Sequence, residues 1–327
     1  MPTVNVVAWD NGLGLSQDMR LIAAVLAEAG MEARMQSIGR GKLRKWFGPW
    51  LRRGGIALDR LRGLPRPDVN VMLEHVRPEL FAGARRNVFI PNPEWCTPAD
   101  VAMLPSVDRI LVKTRHAETI FAGYGKPVAY VGFTSGDCLD AGVPRRRAFF
   151  HLAGRSTSKG TQQVFEAWLR HPEWPTLTVV QNPRVAKQAV RAGNIEHRID
   201  YIDRAELRRL QNQHLFHLCP SQAEGFGHYI VEALSVGAVV LSTDAEPMNE
   251  LVAADRGILL PATTMGPMGL SLRYRVDAAA IEAAVQAALA MEDAEVAARS
   301  RAAREFYLRN DAGFRQRLCR EMAVAAA

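Results

Sequence analysis

A pair of glutamates around a glycine-rich turn is the strongest chemical signal in this chain. Glu224 and Glu232 enclose the turn Gly225-Phe226-Gly227, and the residues after that turn read as a helix. The two glycines let backbone N–H groups at the helix start come close to an anion, which the helix dipole also favours. Carboxylates accept hydrogen bonds from sugar hydroxyls. The pattern therefore favours a sugar-nucleotide site over the alternative, a helix start with two solvated acids.

The residues on both sides of this turn extend the pattern. In chain order they are Pro220-Ser221, Glu224, Gly225-Phe226-Gly227, Glu232-Ala233, Gly237, an apolar stretch, Thr243-Asp244 and Glu250. This run resembles the donor-site signature of glycosyltransferase family 4, the group 1 glycosyltransferases, whose fold is GT-B. The resemblance implies a metal-independent, hexosyltransferase-type enzyme that transfers a sugar from a nucleotide donor with retention of anomeric configuration.

A second short run supplies two cations. Gly154-Arg155 is followed by Lys159-Gly160, and in the resembled family such a pair clamps the diphosphate. Fixed cations stabilise the negative charge that develops on the leaving diphosphate, without a metal. The loop between Arg155 and Lys159 is one residue shorter than the family's usual form. The alternative is two surface cations near a turn.

The resemblance also implies a role for each donor-site residue, and Glu224, Arg155 and Lys159 are expected in catalysis. Glu232 would bind the ribose hydroxyls, and Glu224 would bind the hydroxyls of the donor sugar. The turn Gly225-Phe226-Gly227 would face the sugar and phosphate. Thr243 and Glu250 would lie near the nucleotide, and Asn182 would lie near the base. The donor would be a UDP- or GDP-linked sugar used as substrate, and we expect no cofactor.

The first half of the chain offers acceptor-side candidates. Gly12 and Gly14 follow the first predicted strand, and the family implies that this loop closes over the diphosphate. His75 follows another strand and matches a family histidine close to the reacting carbon, so it is also expected in catalysis; the alternative is a structural histidine. Glu94 and Trp95 follow a third strand, where Glu94 replaces a second family histidine. They would bind an acceptor, or else be a helix-capping acid and a core aromatic.

Strands and helices alternate along all 327 residues, which predicts an α/β protein. Together with the resemblance, this implies two Rossmann-like domains whose parallel sheets face a cleft, and a C-terminal helix that packs back on the first domain. We expect an acceptor domain at 1–146, a donor domain at 147–305 and the returning helix at 306–327. A hydrophobic content of 48% suffices for two cores.

Positive charge is concentrated in one segment, residues 40–66. It holds nine basic residues against one acid, a formal charge of +8, whereas the whole chain carries +7. Trp46, Phe47, Trp50 and Leu51 are interleaved with these basic residues. Such a composition favours an anionic membrane surface or a lipid-linked acceptor. An ordinary solvated loop with its aromatics in the core is the second interpretation, and a nucleic-acid contact is the third.

Several patterns are absent from the sequence, and their absence narrows the expected cellular compartment and metal chemistry. The four cysteines have no paired or metal-ligand spacing, no stretch reaches the ~20 apolar residues of a membrane span, and no secretory leader is recognisable. We expect a cytoplasmic protein without bound metal, peripheral at the inner membrane face, whose partners are a nucleotide sugar and a glycan or lipid-linked acceptor. The alternatives are a glycosyltransferase that modifies nucleic acid and a non-catalytic sugar-nucleotide-binding protein.

Overall fold

The structure is a computed structural model that describes residues 1–9, 12, 14–39 and 42–327, with the side chains of residues 42–46 outside the description. The aromatic ring of Trp46 and several cations of the basic segment therefore lie outside the described part. The chain forms two compact units. The first comprises Met1–Phe133, Gly269–Ser271 and Ala312–Ala327, and the second comprises Thr134–Met268 and Leu272–Asp311.

The first unit is built on a six-stranded, all-parallel sheet with the order β2-β1-β3-β4-β5-β6. Its strands are β1 (Thr3–Trp9), β2 (Glu32–Ile38), β3 (Val69–Leu73), β4 (Arg86–Ile90), β5 (Arg109–Val112) and β6 (Val128–Tyr130). All five residues of β3, Val-Asn-Val-Met-Leu, are buried, as expected for a parallel sheet covered on both faces.

Four α-helices connect these strands: α1 (Gly14–Glu28), α2 (Lys42–Leu61), α3 (Pro98–Met103) and α4 (Arg115–Ala122). Short 3₁₀ turns occupy Pro78–Gly83, Pro93–Trp95 and Leu104–Ser106. The basic segment is thus mostly the helix α2, although it contains Pro49, Gly54 and Gly55. The interpretation of this segment as a solvated loop with buried aromatics is wrong, because Phe47 and Trp50 are 60% and 73% exposed.

The second unit contains another six-stranded parallel sheet, with the order β12-β11-β10-β7-β8-β9. Its strands are β7 (Arg146–Gly154), β8 (Leu177–Gln181), β9 (Ile195–Ile199), β10 (His214–Cys219), β11 (Val239–Thr243) and β12 (Gly257–Leu260). A separate hairpin joins β13 (Thr263–Met268) to β14 (Ser271–Arg275). The predicted α/β class with two parallel sheets is confirmed.

The helices after β7 are α5 (Thr161–Arg170), α6 (Arg204–Gln213), α7 (His228–Ser235), α8 (Met248–Leu251), α9 (Ala278–Ala290) and α10 (Asp293–Ala326). Aromatic packing centres the core of the second unit. The ring of Phe149 on β7 stacks on that of Phe216 on β10 at 4.9 Å and meets Trp168 of α5 edge-on at 5.0 Å.

The division between the units differs from the sequence-based one. It falls between Phe133 and Thr134 rather than after residue 146, because residues 134–145 hydrogen-bond within the second unit. Ser135 Oγ lies 2.6 Å from His228 Nδ1, and Tyr307 Oη donates to the Ser135 carbonyl at 3.0 Å. The helix α10 is continuous, and its residues from Ala312 onward belong to the first unit, where Phe314 packs on Phe133 at 4.8 Å.

Candidate active site

The loop between β10 and α7 carries Glu224 and the glycine turn, and α7 carries Glu232. The helix α7 begins at His228, directly after Gly227, as the sequence predicts. Gly227 has φ 104°, which L side chains rarely adopt, and a Cβ there would lie 3.1 Å from Ile230 Cδ1. This glycine is therefore required for the turn. It directs the N-terminus of α7, the positive end of the helix dipole, toward the Glu224 loop.

The loop after β7 packs directly against this motif, because β7 and β10 are neighbours in the sheet. Gln222 N donates to the Ser158 carbonyl at 2.9 Å. Gly160, the N-cap residue of α5 with φ 66°, lies so close to Pro220 that an added Cβ would be 2.4 Å from the Pro220 carbonyl oxygen. These backbone contacts bring the residue between them, Lys159, to the glutamate loop.

Lys159 and Glu224 form an ion pair, in which Lys159 Nζ donates to Glu224 Oε1. Their side chains are 16% and 14% exposed, so the pair is shielded but open to a ligand. Ser221 Oγ also donates to Glu224 Oε1, at 2.5 Å, and Tyr229 Oη in turn donates to Ser221 Oγ at 2.5 Å. Lys159 Nζ lies 3.6 Å from the centre of the Tyr229 ring, a cation–π contact.

Tyr229 was not among the predicted site residues, although its place directly after the glycine turn marks it. Burial raises the pKa of its hydroxyl well above the usual value, so the group stays protonated and donates. Its ring and hydroxyl thus hold both the cation and the serine next to Glu224.

Glu232 lies further along α7 and is partly buried. Its Oε2 accepts a hydrogen bond from Gln211 Nε2 of α6 at 3.1 Å. Gln211 is 2% exposed and was not predicted. An amide this buried fixes the orientation of the carboxylate that is expected to bind ribose.

Thr243, predicted near the nucleotide, is fully buried at the end of β11. Its hydroxyl donates to the Ser221 carbonyl at 2.7 Å, so its side chain fixes the position of the loop that carries Glu224. Glu250 is partly buried on α8, in the same unit.

Asn182 follows β8 and is 7% exposed. Its backbone N–H donates to the Gly154 carbonyl at 2.8 Å, which joins it to the Arg155 loop. A side-chain hydrogen bond from Asn182 lowers the pKa of Tyr201, and the positive charges of Arg184 and Arg155 act in the same direction. Tyr201 is 63% exposed and adds an aromatic surface beside the expected base position.

In the first unit, polar side chains line the carboxyl ends of three neighbouring strands. Glu74, Asn92 and Lys113 follow β3, β4 and β5. Asn92 Nδ2 donates to Glu74 Oε2 at 3.2 Å, and Lys113 Nζ donates to Asn92 Oδ1 at 2.9 Å. Lys113 also pairs with Asp18 of α1 at 2.5 Å, and both side chains are at most 4% exposed. Asp18 and Lys113 were not predicted, because it is the parallel sheet that brings them together.

His75 belongs to this strand edge and is held by an acid. Its Nδ1 lies 3.0 Å from Asp100 Oδ2, and its Nε2 lies 3.7 Å from Glu74 Oε1. A carboxylate only accepts, so Nδ1 carries the hydrogen of this bond. Glu74 has φ 67°, a strained conformation for a residue other than glycine. His75 is therefore oriented by its neighbours while 26% of its side chain stays exposed.

The other acceptor-side candidates also lie in the first unit. Glu94 is 7% exposed and Trp95 is 53% exposed, so Trp95 is no core aromatic. Gly12, with φ 67°, donates through its N–H to Ser16 Oγ at 2.8 Å, and Gly14 is the first residue of α1. Residues 10 and 11, which precede Gly12, and residue 13, which follows it, lie outside the described part.

Across the described ranges, no three His, Cys, Asp or Glu side chains are grouped so that they could hold a metal ion. No helix in the same ranges is long and apolar enough to cross a bilayer. All four cysteines are free thiols.

Residues 152–303, which carry the whole glutamate and cation constellation, match the family model described as glycosyl transferases group 1. The predicted resemblance is confirmed. Comparison with curated protein sequences gives no match.

Solved glycosyltransferase structures share the fold of the entire chain. A glycosyltransferase from Rickettsia africae has a TM-score of 0.75 at 12% identity, with 99% of this chain and 98% of that chain covered. Sucrose-phosphate synthase from Thermosynechococcus elongatus has a TM-score of 0.74 at 15% identity, covering 99% and 100%. Anabaena HepE in complex with UDP-glucose has a TM-score of 0.72 at 13% identity, covering 98% and 99%. The GT-B fold is thus confirmed.

Replacing Gly160 by alanine is expected to disturb the contact between the two loops. The new Cβ would meet the Pro220 carbonyl and force a left-handed conformation on alanine, so the free energy of unfolding should fall by more than about 1 kcal/mol. Urea unfolding measures this loss. Gly193→Ala is the control, since a Cβ there meets nothing within 4 Å. Equal stability of the two variants would contradict the close approach.

Asp100 is expected to make stability depend on acid pH. Burial acts to raise its pKa, but hydrogen bonds from His75, Thr97 and the Val76 N–H outweigh it and lower the pKa to about 2. A depressed pKa gives stability that is complete above the unfolded value of 3.8 and lost as pH falls toward 2, roughly 2 kcal/mol in all. Urea titrations between pH 5 and about 2 measure how the free energy of unfolding depends on pH. Asp100→Asn should remove the part of this dependence that comes from Asp100. Replacing the exposed Asp59 by asparagine should leave the pH dependence unchanged. If Asp100→Asn has the same pH dependence as the wild type, the assignment to Asp100 is wrong.

Proposed function

We propose that this protein is a retaining, metal-independent glycosyltransferase that moves a hexose from a nucleotide-diphosphate sugar to an acceptor hydroxyl. The observation that carries the proposal is the Lys159–Glu224 ion pair beside the N-terminus of α7. It places a cation and an acid beside the N-terminus of a helix. These are the groups that a sugar diphosphate requires.

On donor binding, Lys159 would turn from Glu224 to the diphosphate, and Arg155 would add a second charge there. Glu224, released from the cation, would accept hydrogen bonds from the sugar hydroxyls. As the glycosidic bond breaks, the leaving phosphate gains negative charge, which the two cations and the α7 dipole stabilise. Attack on the same face, with the departing phosphate oxygen taking the acceptor proton, retains the configuration without a carboxylate nucleophile.

The nucleotide would lie along the rest of this loop system. Glu232, oriented by Gln211, would bind the ribose hydroxyls. Asn182 and the exposed ring of Tyr201 would flank the base. The complex of the structural neighbour HepE with UDP-glucose supports a uridine donor, with a GDP-linked sugar as the alternative.

The acceptor would be a glycan or a lipid-linked molecule at the inner membrane face. His75, held by Asp100, would orient its hydroxyl, and Glu94 with the exposed Trp95 would contact its sugar rings. Gly12 and Gly14 would face the diphosphate from the first unit. The support for a membrane-bound acceptor is the exposed aromatic and basic surface of α2.

A thermal-shift series with UDP, GDP, ADP, dTDP and CMP tests the donor site. One nucleoside diphosphate should stabilise the protein selectively, by about 2.7 kcal/mol when its concentration is a hundred times Kd. Glu232→Ala should lose this shift, whereas Glu292→Ala, an exposed acid on the surface of the same unit, should keep it. Absence of any shift in the wild type would overturn the proposal. A shift without sugar transfer to any acceptor would favour the non-catalytic alternative.

Removal of the diphosphate cations should slow the reaction itself. Lys159→Met and Arg155→Ala should each lower kcat by about 10²–10³-fold, because their charges act mainly on the leaving group. Release of diphosphate from the donor found by the thermal-shift series measures kcat. Lys187→Ala is the control, because Lys187 is exposed and its Nζ donates to the nearby Pro183 carbonyl. Unchanged kcat in Lys159→Met would contradict the clamp, and an inverted anomeric centre in the product, read by proton NMR coupling, would contradict retention.

A further inference from the structure

The helix α2 carries exposed apolar side chains near both of its ends. Phe47, Trp50, Leu51, Leu58 and Leu61 are 60%, 73%, 74%, 45% and 86% exposed. Their spacing of three, four or seven residues puts them on one side of the helix. Single exposed hydrophobic residues are ordinary on protein surfaces, but five on one helix face form a patch that marks an interaction site. We call these five residues the apolar stripe.

The opposite side of α2 is attached to the first unit. Ile56, about half a helical turn from Phe47 when projected down the axis, packs on the core cluster of that unit. Its Cδ1 comes so near to Gly83 that a Cβ there would lie 3.1 Å away. Arg52 donates to the buried Glu79 at 2.8 Å. The helix is thus fixed with the apolar stripe facing solvent.

Positive charge surrounds the apolar stripe. Arg53 and Arg62 are exposed and flank it on its two sides, and Arg60 is exposed beside Leu61. The segment 40–66 has a formal charge of +8, more than the +7 of the whole chain, so the rest of the protein has almost no net charge. A partner for this surface must accept both apolar side chains and a high positive charge.

We propose that α2 binds an anionic lipid bilayer, with the apolar stripe in the boundary between headgroups and acyl chains and the flanking arginines on lipid phosphates. An interfacial helix has this combination of Trp, Phe and Leu on one face with Arg beside them. The inference deepens the proposed function, on which it rests only for the lipid-linked acceptor, by naming the surface that brings the enzyme to that acceptor.

Charge and shape favour the bilayer over other occupants. A second copy of this chain would bring two strongly positive helices together, which repulsion opposes. A nucleic acid would pair with the arginines, but it offers no apolar surface to Leu51, Leu58 and Leu61. Anionic lipid supplies both an apolar layer and negative charge.

Vesicle flotation with the full-length protein tests the inference. The wild type should float with vesicles of phosphatidylcholine containing about one third phosphatidylglycerol, and much less with phosphatidylcholine alone. Trp50→Ser combined with Leu51→Ser should weaken partitioning about a hundred-fold, because each large side chain contributes about ten-fold when buried. Leu169→Ser is the matched control, since Leu169 is 54% exposed on α5 of the second unit.

Charge is tested separately. Arg53→Glu and Arg60→Glu should each weaken binding to anionic vesicles by more than about five-fold, because each replacement removes a positive charge and adds a negative one. Raising the salt from about 0.1 to 0.5 M should weaken binding further. Arg191→Glu, an exposed arginine of the second unit, should change it little. For every variant, an unchanged circular dichroism spectrum and thermal shift with the nucleoside diphosphate show that the fold and donor site are intact.

Three results would overturn the inference. A wild type that stays in solution with anionic vesicles, while the diphosphate still stabilises it, would remove the membrane surface and leave the proposed transferase standing. Tighter binding to duplex DNA than to anionic vesicles would make nucleic acid the partner. A dimer that the Trp50→Ser, Leu51→Ser variant dissociates would make α2 a contact between two copies.

Discussion

The close approach of the Pro220 carbonyl to Gly160 is the constraint on which the candidate donor site depends. It lets the loop after β10 lie directly on the start of α5, and the Gln222–Ser158 hydrogen bond holds it there. Lys159 then meets Glu224 in a shielded position, where the attraction between opposite charges exceeds that of a surface pair. The cation and the acid are therefore in place before any donor binds. In the proposed function, a donor phosphate would replace the Glu224 carboxylate as the partner of Lys159.

Below this loop, buried histidines join the strands without adding charge. Burial lowers the pKa of His151 to about 4 and that of His217 to about 3, so both are neutral near pH 7. A neutral imidazole donates with one nitrogen and accepts with the other. His151 thereby donates to the Leu218 carbonyl at 2.8 Å and accepts from Thr161 Oγ1 at 2.9 Å. It links β7, β10 and the first residue of α5, the three elements that position Lys159 and Glu224.

The first unit organises its strand edge by a different means. There the buried Asp18–Lys113 ion pair is connected to Glu74 through Asn92. The side chain of Asn92 accepts a hydrogen bond from Lys113 and donates one to Glu74. The ammonium of Lys113 also lies 4.6 Å from the centre of the Phe133 ring. Buried charges persist only when they are paired and hydrogen-bonded in this way. The result is a rigid polar edge, from which the Asp100-bound ring of His75 is partly exposed.

The sequence by itself determined the elements whose cause is local. Gly227 and the apolar residues after it specify the start of α7, and buried runs such as Val69–Leu73 specify the strands, because helix caps and strand patterns involve residues only a few positions apart. Only the tertiary structure decided that Lys159 pairs with Glu224, 65 residues away, since this follows from the sheet order that makes β7 and β10 neighbours. Tertiary packing also explains why α2 forms despite Pro49. Packing of Ile56 on the first unit stabilises a helix that its own residues disfavour, and no local pattern carries that energy.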